Sequence, residues 1–337
     1  MKSIQLTLTR VAALMAALLI VATACGAESR TSIDARSLQS NADSPTEPLG
    51  YSFTYLGVTG AGELRKFADD SWQSLNLHDD KDMTFAGVAW DGVAVHQPLV
   101  AVKLPDNACN YEWHFLRPDD TLTETVAVGT NAVISPDGGR LAVTSQVEST
   151  ALPGPCGGQE LSVVDLKTGT TNSWSATFPF KGYNYSGIVG KPAWAPDSIH
   201  LVYGTDNSYL YLLDTRRAGA DATIRDAHLI RGHQVGLQTP MWNMDDGQLY
   251  VGTIRPDGYA WDQVRTTDGT VIASDGHPAR SGGPLRTRTY DGTVDFMGFV
   301  RSDDHLIAPG TPRMITSVKD GDVVARVEVP ADFIGVS

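Results

Sequence analysis

Val133-Ile134-Ser135-Pro136-Asp137-Gly138, running on into Arg140-Leu141-Ala142-Val143, is the stretch whose reading decides the fold. A second copy, Pro192-Ala193-Trp194-Ala195-Pro196-Asp197-Ser198, leads into His200-Leu201-Val202-Tyr203. A third, Pro240-Met241-Trp242-Asn243-Met244-Asp245-Asp246-Gly247, leads into Gln248-Leu249-Tyr250-Val251. Fainter copies are Gly87-Val88-Ala89-Trp90-Asp91-Gly92 ahead of Leu99-Val100-Ala101-Val102, and Gly298-Phe299-Val300-Arg301-Ser302-Asp303 ahead of His305-Leu306-Ile307. Each copy is a short apolar strand, a turn and a second apolar strand. Proline pre-sets φ for the turn, aspartate accepts bonds from nearby backbone N–H groups, and glycine takes the left-handed angles. The aspartates at 91, 137, 197, 245 and 303 are 46, 60, 48 and 58 residues apart. A period of that length, with several strands per unit, points to a propeller or a related array.

Outside the repeat the chain reads the same way. Eight Asp-Gly dipeptides punctuate it, and after Gly50 no long helical stripe of apolar residues occurs. Around the second copy four strands are expected: Lys191–Ala195, His200–Thr205, Tyr209–Asp214 and a last one near Ala227–Ile230. The expected fold is all-β, a β-propeller most simply of six four-stranded blades, with five or seven blades or a β-sandwich as alternatives. Residues 50–77 supply strand-like pieces (Tyr51–Val58, Leu64–Ala68, Trp72–Leu77) without the motif, so ring closure there is inferred.

These repeats resemble the WD40-like W-S-P-D-G repeats of TolB-type β-propellers. The positions that carry the resemblance are Trp90, Asp91, Ser135, Pro136, Asp137, Gly138, Trp194, Pro196, Asp197, Trp242 and Asp245. It implies tryptophans between neighbouring blades and aspartates capping the turns. The family at large interacts with other envelope proteins. The separate α/β domain of TolB itself is not apparent ahead of the propeller, so TolB's specific function is not carried over.

Residues 1–24 read as a signal peptide: Lys2 and Arg10 without an acid, then the apolar run Val11 to Ala24, too short to span a bilayer. The run closes on Ala22-Thr23-Ala24-Cys25-Gly26, which resembles the lipobox of bacterial lipoproteins with Ala22 where leucine is commonest. The resemblance implies lipidation of Cys25 and an extracytoplasmic, membrane-anchored protein. Gly26 favours the outer membrane if the cell has one, and otherwise the outer face of the cell membrane. An ordinary secretory signal with an incidental Cys25 is the alternative. Residues 25–50, rich in Ser, Thr, Asn and Asp with Pro45 and Pro48, read as a flexible linker, and 51–337 as the propeller domain.

Losing Lys2 and Arg10 with the leader leaves 24 basic residues against 39 acidic, a net charge of −15. Such a surface repels phosphate backbones and argues against nucleic acid as a partner. With Cys25 assigned to lipid, Cys109 and Cys156 remain. Both fall in loops between the second and third strands of consecutive blades, on one face of the ring, and an oxidising compartment would let them form a disulfide.

Motifs for chemistry are scarce. The chain has no Gly-x-Ser-x-Gly, His-Glu-x-x-His or Cys-x-x-Cys and no phosphate-binding glycine loop. Asp79-Asp80-Lys81-Asp82 lacks the pattern of a calcium loop, and His228 and His233, five apart, lack ligand spacing. No cofactor or metal is expected. The most site-like stretch is a presumed loop carrying Phe178, Phe180, Lys181, Tyr183 and Tyr185, whose aromatic and polar mixture suits protein or ligand contact. The expected function is a protein- or ligand-binding scaffold in the cell envelope, not an enzyme. The alternative is a propeller-type hydrolase or lyase acting through the central channel. The inner-strand segments Val133–Ser135, Lys191–Ala195 and Thr239–Asn243 read as mainly apolar or neutral, which weighs against it.

Overall fold

The computed structural model describes residues 51, 53, 55–77, 83–89, 97–105, 107–147, 158–180, 183–205, 209–217, 222–231, 237–242, 247–255, 258–275, 285–287, 293–299, 313–319, 322–330 and 332–336. All lie in the compact unit Asp34–Ser337. The first strands are β1 (Tyr55–Thr59), β2 (Leu64–Ala68) and β3 (Ser71–Ser74). The second sheet is β4 (Phe85–Ala89), β5 (Leu99–Leu104), β6 (Asn107–Phe115) and β7 (Ala127–Gly129). The third is β8 (Asn131–Ile134), β9 (Arg140–Val147), β10 (Gly158–Asp165) and β11 (Thr171–Ser175). A two-stranded ribbon, β12 (Thr177–Phe180) with β13 (Tyr183–Ser186), follows it.

The fourth sheet is β14 (Ile188–Trp194), β15 (His200–Thr205), β16 (Leu210–Asp214) and β17 (His228–Arg231). The fifth is β18 (Leu237–Trp242), β19 (Leu249–Arg255), β20 (Gly258–Val264) and β21 (Val271–Asp275). The sixth is β22 (Leu285–Thr287), β23 (Thr293–Phe299), β24 (Arg313–Lys319) and β25 (Asp322–Val329). The last strand, β26 (Phe333–Val336), joins the first sheet, whose order is β26-β1-β2-β3. The fold is a β-propeller built of antiparallel four-stranded sheets.

Apolar side chains fill the seams between neighbouring sheets. Leu56, Val58 and Leu64 pack with Phe85, Val88 and Val100; Leu99, Ala101 and Trp113 pack with Ala132, Leu141 and Val143. Leu161, Val163 and Trp174 pack with Trp194, Leu201 and Tyr203. A second strand such as β5, buried throughout Leu99–Val102, has a neighbour on both sides. It therefore reads as a continuous apolar run instead of an alternating one. Two tryptophan N–H groups bond across seams: Trp194 Nε1 donates to the Val133 carbonyl at 3.0 Å, and Trp72 Nε1 to that of Glu328 at 2.9 Å.

The first sheet contains the three strands expected in residues 50–77, with shifted bounds, and closes the ring there as inferred. Those residues supply β1 to β3, starting at Tyr55, while the inner strand β26 comes from the other end of the chain. It pairs antiparallel with β1, Gly57 opposite Val336 and Thr59 opposite Phe333. The repeat motif marks the hairpin from inner to second strand. In this sheet those two strands are 270-odd residues apart in the chain, so the hairpin and its motif are absent. Phe333 is buried against Trp72 (ring centroids 4.7 Å apart), Tyr55, Ile315 and Val329. Gly57 lies directly beneath it, where a Cβ would stand 2.1 Å from the Phe333 ring.

The strand order separates two faces. The motif face carries the turns from first to second and from third to fourth strand. The opposite face carries the turns from second to third strand and the passages from sheet to sheet. Phe333→Ala empties the closure seam and is expected to cost about 3–5 kcal/mol, read as a lower midpoint in urea unfolding.

Candidate binding face

On the motif face the repeat turns share one construction. Ser135 N donates to Arg140 O, and Gly138 N to Ser135 O, with Gly138 at φ +68°. Ala195 N donates to His200 O, and Ser198 N to Ala195 O, with Ser198 at φ +56°. A serine thus occupies a left-handed position that costs a non-glycine residue roughly 1–2 kcal/mol. Its contacts offset this: Ser198 Oγ accepts from Asp137 N at 3.0 Å, and Ser198 O accepts from Arg140 Nη1 at 2.8 Å. The two best copies of the motif are therefore bonded to one another across the seam.

Asp137 Oδ1 accepts from Ser135 Oγ at 2.6 Å and Gly139 N at 2.9 Å. Asp197 Oδ1 accepts from Ile199 N and His200 N, both at 2.9 Å, and its Oδ2 lies 2.6 Å from His200 Nδ1. Burial would push the Asp197 carboxyl up, but the His200 side chain and the two backbone N–H groups together hold it below the usual range. Pro136 and Pro196 sit in these turns, and the buried Trp194 and Trp242 end β14 and β18. Trp90, Asp91 and Asp245 lie outside the described residues. Turns from third to fourth strand repeat as well, with left-handed Gly169 and Gly269 donating back to Asp165 O and Arg265 O. The matching Thr-Gly and Asp-Gly pairs in the sequence were the available signal.

The opposite face is built differently. Cys109 lies inside β6, which begins at Asn107 and not near Tyr111, so it is a strand residue and not a loop residue. It is half-buried and engaged. Its neighbour Asn110 binds the backbone of Gln146 in β9 twice, donating to the carbonyl at 2.9 Å and accepting from N at 2.8 Å. Gln146 stands opposite Gln159 in the register of β9 and β10. Residues 148–157, which contain Cys156, lie outside the described residues, as do Cys25 and Lys181.

The presumed aromatic loop is an ordered ribbon. Phe178 pairs with Tyr185 and Phe180 with Tyr183 in the register of β12 and β13. The reason is local closure at its stem: Gly187 N donates to Ala176 O, Ala176 N donates to Gln159 O, and the ribbon then has a fixed root. The buried Gln159 side chain grips the far stem, accepting from Ile188 N at 2.7 Å and donating to Ile188 O at 3.3 Å.

One inner-strand side chain departs from the apolar reading. Lys191 of β14 donates to the Val88 carbonyl of β4 at 3.1 Å, reaching past the intervening third sheet. Its charge was legible in the sequence, but its reach across the middle of the ring was not. His228 is exposed on β17, and His233 lies outside the described residues. Among the described residues no group of three or more His, Cys, Asp or Glu is placed to hold a metal ion.

No family model matches the chain, and no curated protein does. Solved structures do. TolB from Acinetobacter baumannii aligns at 14% identity and a TM-score of 0.53, over 84% of this chain and 64% of that one. A putative TolB from Agrobacterium tumefaciens aligns at 11% identity and a TM-score of 0.47, over 85% and 93%. The chain thus spans under two thirds of the Acinetobacter protein, and the likeness is one of fold.

Asp197 contributes stability above the ordinary carboxylate range, and that contribution is lost as pH falls through its depressed folded value. Asp197→Asn is expected to lose about 1.5–3 kcal/mol at neutral pH. It should also flatten the acid limb of the stability–pH curve, measured by urea unfolding across that range.

Proposed function

We propose that the chain is an extracytoplasmic lipoprotein, anchored through Cys25, whose propeller serves as a protein- or ligand-binding scaffold in the cell envelope. The observation that carries the binding role is the ribbon β12–β13, rooted by Gln159 on the face that also bears Cys109. The ribbon's backbone is rooted at little ordering cost, Phe178 pairs with Tyr185 and Phe180 with Tyr183 in its register, and aromatic residues of this kind suit protein or ligand contact. The likeness in fold to TolB supports a propeller scaffold.

Cys109 and Cys156 form the second part of the reading. Asn110 ties β6 to Gln146 at the end of β9, and Cys156 is two positions before Gly158, which pairs with Val147. That neighbourhood supports a bridge between the second and third sheets. Closing a loop of 47 positions would stabilise by at most about 4 kcal/mol in the loop-entropy model.

A hydrolase or lyase working through the central channel is the second reading. Lys191, the cation that reaches inward from β14 to Val88, favours it. Lys191→Met in the purified protein would abolish such an activity and leave scaffold binding intact.

Capture of the lipidated protein from envelope extracts is expected to bring down a stoichiometric partner, and Phe180→Ala with Tyr183→Ala to release it. Recovery of the same partner by that double variant would contradict the ribbon's role. Mass spectrometry should find acyl chains on Cys25, and a Cys109–Cys156 peptide pair that separates on reduction.

A further inference from the structure

The ribbon β12–β13 is a sheet of two strands, and its own bonds decide which backbone groups face outward. Gly187 N donates to Ala176 O at 2.8 Å at the stem. Bonded and non-bonded pairs alternate along an antiparallel ladder, so Phe178 with Tyr185 and Phe180 with Tyr183 are the bonded pairs. Thr177 with Ser186 and Pro179 with Asn184 are then the non-bonded pairs, whose free backbone groups point to the two outer edges. The same register places Phe178, Phe180, Tyr183 and Tyr185 on one face of the ribbon and Thr177, Pro179, Asn184 and Ser186 on the other.

The two edges are unlike. β12 lies beside β10 of the third sheet, where Ala176 N donates to Gln159 O, and its outer edge lacks a donor at Pro179. Proline on an edge is a common means of stopping a further strand from pairing. β13, Tyr183–Ser186, contains neither a proline nor a charged residue, and among the described residues no third strand pairs with it. Its outer edge holds Asn184 and Ser186, each with a backbone donor and acceptor, at the spacing of a strand partner. A ribbon of two strands is marginal by itself, and a third strand adds main-chain bonds and apolar contact.

Charge narrows the partner. Asp165 and Asp197 bound the longest stretch of the chain without a carboxylate, in a protein of net charge −13 with 39 acidic residues, and Lys181 is the ribbon's one charge. An acidic segment is repelled by much of such a protein and least by this stretch. We propose that the β13 edge accepts an extended acidic segment of a partner protein as a third strand, with apolar residues at every second position on the ribbon's aromatic face. The proposal rests on the ribbon being the contact element and names what that element takes. Main-chain bonds to Asn184 and Ser186 supply affinity, and the apolar alternation supplies specificity.

The probe is a fluorescein-labelled peptide of alternating valine and glutamate, titrated by anisotropy into the full chain. Saturable binding that weakens with added salt is expected, with a valine–lysine peptide binding severalfold less tightly. Asn184→Pro removes an outward N–H and leaves the ribbon's own bonded pairs intact. With an unchanged urea midpoint, it should weaken binding roughly tenfold, the worth of about one hydrogen bond. Thr177→Pro makes the same change on the β12 edge and should leave binding as it was. Absence of peptide binding, or equal binding by Asn184→Pro, overturns the proposal. So does self-association through this edge, seen as a sedimenting dimer that Asn184→Pro dissolves. Binding lost in Phe180→Ala with Tyr183→Ala but kept in Asn184→Pro overturns strand addition alone and leaves the ribbon as the contact element.

Discussion

The pairing of β26 with β1 is the contact on which the rest of the molecule depends. Every sheet of a propeller buries both of its faces against neighbours, so an open ring would leave two apolar faces in water. Here the ring is closed by residues 333–336 laid beside Tyr55–Thr59, with Phe333 wedged over Gly57 and against Trp72. Tyr55 and Phe333 on one side meet Ile315 and Val329 on the other, which joins the last sheet to the first. Closure by two distant ends of the chain also keeps β1, and with it Tyr51, in a fixed place.

From that closed ring follows the division between the faces. The motif face carries the repeat turns, in which aspartates and prolines hold the backbone locally, and Ser198, Asp137 and Arg140 bond two such turns together. The opposite face carries the ribbon, the Asn110–Gln146 clamp and the passages between sheets. Connections held by a rigid scaffold are where recognition is usually placed.

How far the sequence revealed this depends on how local the determining chemistry is. Ser135-Pro136-Asp137-Gly138 and Trp194-Ala195-Pro196-Asp197 could be read directly, because proline, aspartate and glycine act within a few residues of themselves. The inner strand of the first sheet could not, since it comes from residues 333–336 and the motif hairpin has no counterpart there. The aromatic stretch around Phe178 looked like a loop for a similar reason: its pairing is anchored by Gln159, a residue of another strand. Cys109 was placed at nearly the right height but in a loop, because the start of β6 at Asn107 is set by pairing with Leu104 across a register shift. Lys191 was counted within an apolar segment although its contact lies two sheets away.

The closure is tested most directly by hydrogen exchange on the full chain and on a chain lacking residues 333–337. The amides of Tyr55–Thr59 are expected to be protected in the former. In the latter they should exchange near the rate of an unfolded chain, with protection also falling at Ile315 and Val329. Unchanged protection of Tyr55–Thr59 after the deletion would contradict a ring closed by β26.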